Sequence, residues 1–352
     1  MSVHYDLEKN KAYTTKLRAL QKELPPLCSE FFRGIENTTS VLTRYGYAVD
    51  LKGFFLFLLS LPEEFDCREM NDITIDVIGR IRPVHIEMYL EHTTYYRSEE
   101  RERFNHERGK SRKLSTLRSF LKYFYKKERI ASNPATLVDL PKIHEKPIIR
   151  LEADEIANFL DAVESGAGLT KKQIEYHKRT RVRDLAILTL FLSTGIRISE
   201  LVGINLSDVN FMTNEFTITR KGGNRDTLSF GDEARAALLA YMAQREGVSV
   251  DPQSEGALFL SLQQKRITAR AVEQLVKKYA ALAVPLKRIS PHKLRSTFGT
   301  MLYRETGDIY LVADVLGHKD VNTTKKHYAA ISEDRRRVAA KAIRLRDDGE
   351  QD

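Results

Sequence analysis

The sequence predicts a mainly α-helical protein of two domains, with a small β-hairpin sheet confined to the second. Three observations carry this. The chain has 352 residues, and domains run to roughly 100–200 residues each. Apolar residues recur at helical spacing through both halves. One stretch, Thr217 to Phe230, instead alternates with period two around Gly222-Gly223-Asn224, the pattern of a hairpin. A hydrophobic content of 42% is enough to build cores and excludes a largely disordered chain.

The expected first domain covers 1–145. In Tyr47 to Leu59 the residues Leu51, Phe54, Phe55 and Leu58 fall on one helix face. A second helix runs through Arg112 to Lys127 with the stripe Leu114, Leu117, Leu121 and Phe124, and Asn133-Pro134 is its expected stop. Arg112, Lys113, Arg118 and Lys122 fall on another face of that helix and are candidate DNA contacts. The dense charges from Arg97 to Arg112 fit either a solvated helix or loop, or a phosphate-contacting insertion. Residues 140–150 carry two prolines and little periodicity, as a linker does.

The expected second domain covers 146–352. It starts with a helix at Leu151-Glu-Ala-Asp-Glu-Ile and continues through a strongly apolar helix at Arg183 to Leu192. The hairpin follows, then helices to the C-terminus. The last of these, from Ser332, places acids first and bases last, as the helix dipole favours, with an apolar strip of Val338, Ala339, Ala342 and Ile343.

Charge and cysteine usage bound the setting. There are 57 basic against 48 acidic residues, a net charge of +9 that suits a polyanionic partner such as nucleic acid. The two cysteines, Cys28 and Cys67, form no disulfide framework and have no zinc-ligand spacing. The polar N-terminus has no secretory core, and the apolar run Phe54 to Leu59 is far too short for a bilayer. A cytoplasmic protein without membrane contact is the expectation.

Five local clusters carry chemistry, and each admits a plain reading beside a functional one. Arg197 follows the Thr194-Gly195 turn at a helix start; it is either a surface arginine paired with Glu200 or a rigid fork for a phosphate. Lys221, before the hairpin tip, is either solvated decoration or a proton donor to a leaving hydroxyl. Ser290 and Pro291 suit a helix N-terminus, which places His292 and Arg295 on one face near an anion-favouring end. Gly317 fits a helix C-cap, so His318 opens a loop. Tyr328 then lies early on a short helix after Thr323 and Thr324, as a packed tyrosine or a nucleophile. His318-Lys319-Asp320 is contiguous and lacks the spaced lysine and aspartate of phospholipase D-type phosphodiesterases.

Taken in order, TGIRISEL (194–201), TRKGGNRD (219–226), HKLR (292–295), LGHKDVNTT (316–324) and Tyr328 resemble the tyrosine recombinases, the phage-integrase and Xer type. The resemblance spans about the last half of the chain, with a looser likeness around Asp50-Leu51 and Asn133-Pro134. Arg220 departs from it, because much of the family has glycine before the lysine. The TRKGG form, the length and Ala257 to Leu262 are similar to the single-protein Xer enzymes of Gram-positive bacteria, which resolve chromosome dimers.

The resemblance implies a two-domain C-shaped DNA clamp whose second domain is catalytic. It implies that Arg197, Lys221, His292, Arg295 and His318 form a phosphate pocket and that Tyr328 attacks, giving a 3′-phosphotyrosine and a free 5′-hydroxyl. Partners implied are double-stranded recombination sites, a homotetramer linked through the C-terminal helix, and a septal DNA translocase. The residue types suit the reaction, since two arginines and nearby imidazoles offset the charge of a pentavalent phosphorus. Tyrosine, with an ordinary pKa of about 10, needs such cationic help and a base such as His292. No carboxylate or histidine cluster has metal-ligand spacing and no Walker A loop is present, so neither metal nor cofactor is expected. Three rivals stand beside this expectation: a mobile-element integrase or plasmid resolvase, a type IB topoisomerase-like relaxing enzyme, and a DNA-binding protein without catalysis.

Overall fold

In the computed structural model of the chain, the structure describes residues 3–98, 101–142, 149–220, 223–318 and 320–321. Lys221, Tyr328, the C-terminal segment expected as a helix and most of the expected linker lie outside them. The chain divides into two compact units, Val3–Lys146 and the part from Pro147 onward.

The first unit is built from seven helices among the described residues: α1 (Val3–Gln21), α2 (Leu27–Gly34), α3 (Val41–Leu59), α4 (Pro62–Phe65), α5 (Ile75–Gly79), α6 (Pro83–His92) and α7 (Glu107–Lys126). α3 starts where Ser40 caps it, its side chain accepting from the Thr43 N–H at 3.2 Å. The expected stripe of Leu51, Phe54, Phe55 and Leu58 is fully buried and meets Leu114, Leu117, Leu121 and Phe124 of α7 in one core. Edge-to-face rings tighten it, among them Phe55 on Phe120 with centroids 5.7 Å apart.

Three sequence expectations are corrected here. Of the charged stretch Arg97 to Arg112, the part from Glu107 is helical, but ahead of it β1 (Tyr95–Ser98) and β2 (Arg101–Phe104) pair antiparallel, which neither the helix nor the loop reading allowed. The exposed rings of Tyr95 and Phe104 meet across the strands at 4.9 Å, a pairing that the surrounding charges conceal in the sequence. α7 begins at Glu107 and ends at Lys126, where Glu128 takes a left-handed φ of +55°, well before Asn133-Pro134. The four candidate cations of α7 also do not share one outward face. Lys113 is buried, with its ammonium 3.4 Å from the buried Asp50 carboxylate. Arg118 donates to the Ala135 and Val138 carbonyls at 2.9 and 2.6 Å and so fastens the segment that follows the helix. Arg112 also pairs with Asp50 while staying half exposed, and Lys122 is exposed.

The second unit centres on α9 (Lys171–Thr194), against which α8 (Ala153–Ser165), α11 (Asp232–Arg245) and α13 (Pro291–Thr306) pack. Between them run α10 (Ile198–Gly203) and an antiparallel sheet of order β3 (Val209–Asn210), β4 (Glu215–Thr219), β5 (Arg225–Ser229). α12 (Ala269–Ala283) and α14 (Ile309–Val315) complete the described elements. The core of α9 comprises Ala186, Ile187, Leu188, Leu190 and Phe191. At its polar centre the buried Asp184 accepts from Thr180 and Tyr279 hydroxyls, both at 3.0 Å, and from the Arg183 guanidinium at 2.6 Å. Burial, with Asp184 beside it, pushes the Tyr279 phenol well up, so it stays a neutral donor. This network locks α12 to α9 and thereby fixes one wall of the site described next. Among the described residues no helix is long and apolar enough to cross a membrane.

Candidate active site

α9 ends at Gly195, whose φ of +60° is left-handed. A Cβ there would lie 2.4 Å from the Phe298 ring and 2.8 Å from the Leu316 side chain, so only glycine lets α9, α13 and the segment after α14 come together. Two residues later Arg197 caps α10. Its backbone N–H and its Nη1 both donate to the buried Glu200 carboxylate, at 2.9 and 2.8 Å. The surface pair and the rigid fork weighed for Arg197 are thus parts of one arrangement: the pair forms, its carboxylate is inside, and the guanidinium is held. A 35% exposed side chain leaves the fork an edge toward solvent.

α14 ends in a paired cap. The Gly317 N–H donates to the Asp314 carbonyl at 2.7 Å, and the His318 N–H to the Ala313 carbonyl at 2.9 Å, with Gly317 at φ +58°. This is a Schellman turn, as Gly317 predicted, and it delivers His318 just past the helix. The carbonyls it leaves over are taken by arginines. Arg197 Nη2 donates to Gly317 O at 2.9 Å. Arg295 donates to Leu316 O and, at 2.5 Å, to Gly195 O. Arg220 donates to Leu316 O at 3.2 Å and Val315 O at 3.1 Å. Three guanidiniums from three elements therefore converge on one turn. Two carboxylates face them, Glu200 and Asp226, the latter 2.7 Å from Arg220 Nη2. The balance remains positive, and with Arg295 only 5% exposed its charge acts in a water-poor setting where it is felt strongly.

α13 begins with Ser290 at the cap position and Pro291 as first residue, as the sequence predicts, although the Ser290 side chain makes no capping bond. His292 lies exposed on the first turn, and Arg295 follows three residues on, buried. His292 and Ile198 line a cavity of about 890 Å³ whose other walls carry Arg270, Lys277, Lys287 and Arg288. The structure thus gathers Arg197, Arg295 and the turn of His318, and places His292 on the rim of a basic cavity. The part of Arg220 was not foreseen. Its signal was present in TRKGGNRD: with Ile218 paired to Asp226, Arg220 and Asp226 are diagonal neighbours of opposite charge on one sheet face.

A surface of this kind can hold a phosphate and stabilise charge that develops on it. Comparison with known proteins agrees in kind. The model of the phage integrase family matches residues 150–335. A tyrosine recombinase XerC from Caldanaerobacter subterraneus subsp. tengcongensis is 34% identical over 86% of this chain and 82% of its own length. A tyrosine recombinase XerS from Lactococcus lactis subsp. cremoris is 28% identical over 93% of this chain and 98% of its own. Among solved structures, the Tn1549 transposon integrase in complex with circular intermediate DNA shares the fold with a TM-score of 0.64 at 19% identity, over 91% of this chain and 100% of that one. XerH bound to palindromic difH substrate, in a post-cleavage complex, gives 0.63 at 20% identity, over 82% and 76%.

Proposed function

The chain belongs to the phage integrase family of tyrosine recombinases, and on that premise we propose that it cleaves and rejoins DNA at a specific site through Tyr328, resolving chromosome dimers as a cytoplasmic homotetramer on two sites. The observation that carries this reading is the convergence of Arg197 and Arg295 on the turn that bears His318. In the reaction the Tyr328 hydroxyl oxygen attacks phosphorus and the bond from phosphorus to the 5′ oxygen breaks. His292 takes the phenolic proton, and Lys221 supplies a proton to the departing oxygen. Arg197, Arg295 and His318 hold the equatorial oxygens, where charge grows. Attack by the 5′-hydroxyl of a second strand reverses the chemistry on a new partner, so the phosphodiester bond energy is retained. The basic cavity beside His292 receives the flanking DNA backbone. The segment from Ser332, expected from the sequence as a helix, joins neighbouring protomers, and a septal DNA translocase is the expected regulator.

The test is an SDS-resistant adduct assay on fragmented host DNA with wild type and Tyr328→Phe. The expected result is an adduct with wild type alone. An adduct that persists with Tyr328→Phe would overturn the nucleophile. Trapped DNA from near the replication terminus supports dimer resolution, whereas trapped mobile-element ends redirect the reading to integration.

A further inference from the structure

Arg220 stands where the sequence departs from the family pattern, and its surroundings give the arginine a use there. Its side chain is 10% exposed and every arm of its guanidinium is engaged. Nε lies 2.8 Å and Nη2 2.7 Å from Asp226 Oδ2 on β5, a two-point contact that fixes the plane of the fork. Nη2 also reaches Val315 O, while Nη1 donates to Leu316 O and lies 3.7 Å from Glu200 Oε1. The hairpin, the α14 turn and the carboxylate that holds Arg197 are thus joined through one side chain. Gly317 makes room for it, since a Cβ there would lie 2.5 Å from Arg220 Cζ.

We propose that Arg220 is a positioning residue, one that anchors the turn bearing His318 on the β4–β5 hairpin so that His318 is in register when the phosphate is bound. The proposal rests on the pocket reading above. Arg220 does not touch the phosphate; it acts through His318. Removing it frees the turn from the hairpin that anchors it, and displacements of His318 near 1 Å cost on the order of 100-fold in rate.

The experiment is single-turnover cleavage of the recovered target site by full-length protein, with DNA affinity measured alongside. Arg220→Gln is expected to cleave about 10- to 100-fold more slowly at unchanged affinity. Arg220→Lys should recover only part of this, because one ammonium cannot span Asp226 and the two carbonyls. Combined with His318→Ala, the Arg220→Gln change should slow cleavage no further than His318→Ala alone, the mark of two residues working as a unit. Asp226→Asn, which leaves the arginine in place and loosens one anchor, should show a smaller loss with the same dependence on His318, and it serves if Arg220→Gln does not fold. Losses that multiply, a parallel fall in DNA affinity, or a wild-type rate in Arg220→Gln would each overturn the proposal. Failure of the pocket reading looks different: Tyr328→Phe still forms the adduct, or His318→Ala is silent.

Discussion

Arg197 donates to the carbonyl of Gly317 at 2.9 Å across 120 residues of chain. One bond therefore ties the cap of α10 to the turn that ends α14. Arg295 and Arg220 bind the neighbouring carbonyls, so the turn holds the cationic side chains and is held by them in return.

Arg295→Ala should lower the cleavage rate by about 10²–10³-fold, the usual loss on removing a preorganised donor to a developing oxyanion. Site affinity should hold nearly constant, because the interaction is realised in the transition state. Paired single-turnover and equilibrium binding measurements read the two terms apart. A large loss of affinity with normal turnover would contradict this assignment.

Gly317→Ala places a side chain at φ +58° and against the Arg220 guanidinium. The left-handed backbone alone costs roughly 1–2 kcal/mol. A lower urea midpoint and slower cleavage should appear together in this variant. A midpoint equal to wild type would mean that the turn relaxes freely.

Glu152 and Glu155 at the start of α8 are both held below the ordinary glutamate range. The Arg304 guanidinium does so for Glu152, and the Lys287 ammonium at 2.5 Å for Glu155. A depressed folded pKa adds stability above the unfolded value, here 4.5, and that part is lost as pH falls through the lower folded value. Glu155→Gln should therefore be less stable than wild type at pH 7, and the gap should close on acidification toward pH 3. Chemical denaturation at a series of pH values measures it. A gap that widens in acid would reverse the sign.

Asp50→Ala should cost about 3 kcal/mol or more, because it strands the buried Lys113 ammonium without its carboxylate. Lys113→Met in the same background should recover much of the loss. Thermal or urea unfolding of the two variants decides it, and equal stability of Asp50→Ala and wild type would refute the pairing.

Binding should weaken steeply with salt. Lys277→Gln and Arg288→Gln, on the exposed walls of the cavity beside His292, should each reduce the slope of log affinity against log salt by about 1. Unchanged slopes would remove that cavity from the DNA interface.

Much of this was legible in local sequence. Gly317 announced its cap, Pro291 its helix start, and the alternation at Thr217 to Phe230 its hairpin, because each depends on neighbours a few residues away. What stayed hidden depends on distant partners. Nothing near Lys113 reveals that Asp50, 63 residues earlier, draws it inward. Arg118 resembles a surface cation until the Ala135 and Val138 carbonyls come within reach. The β1–β2 hairpin was masked by its charges, since its cross-strand aromatic pair is separated by eight intervening residues. Arg220 was visible as a departure from pattern, but its use emerges only once α14 is folded beside it.

The long-range wiring of the α14 turn also governs when the enzyme can become dangerous to its host. Contacts that close loops of 95 to 120 residues carry a larger closure cost than local ones and need both ends of the domain in place. A chain still emerging from the ribosome, or one frayed at α14, has the arginines but no assembled cradle. On the proposed mechanism, strand-breaking capacity therefore belongs to the finished domain and to no single segment of it.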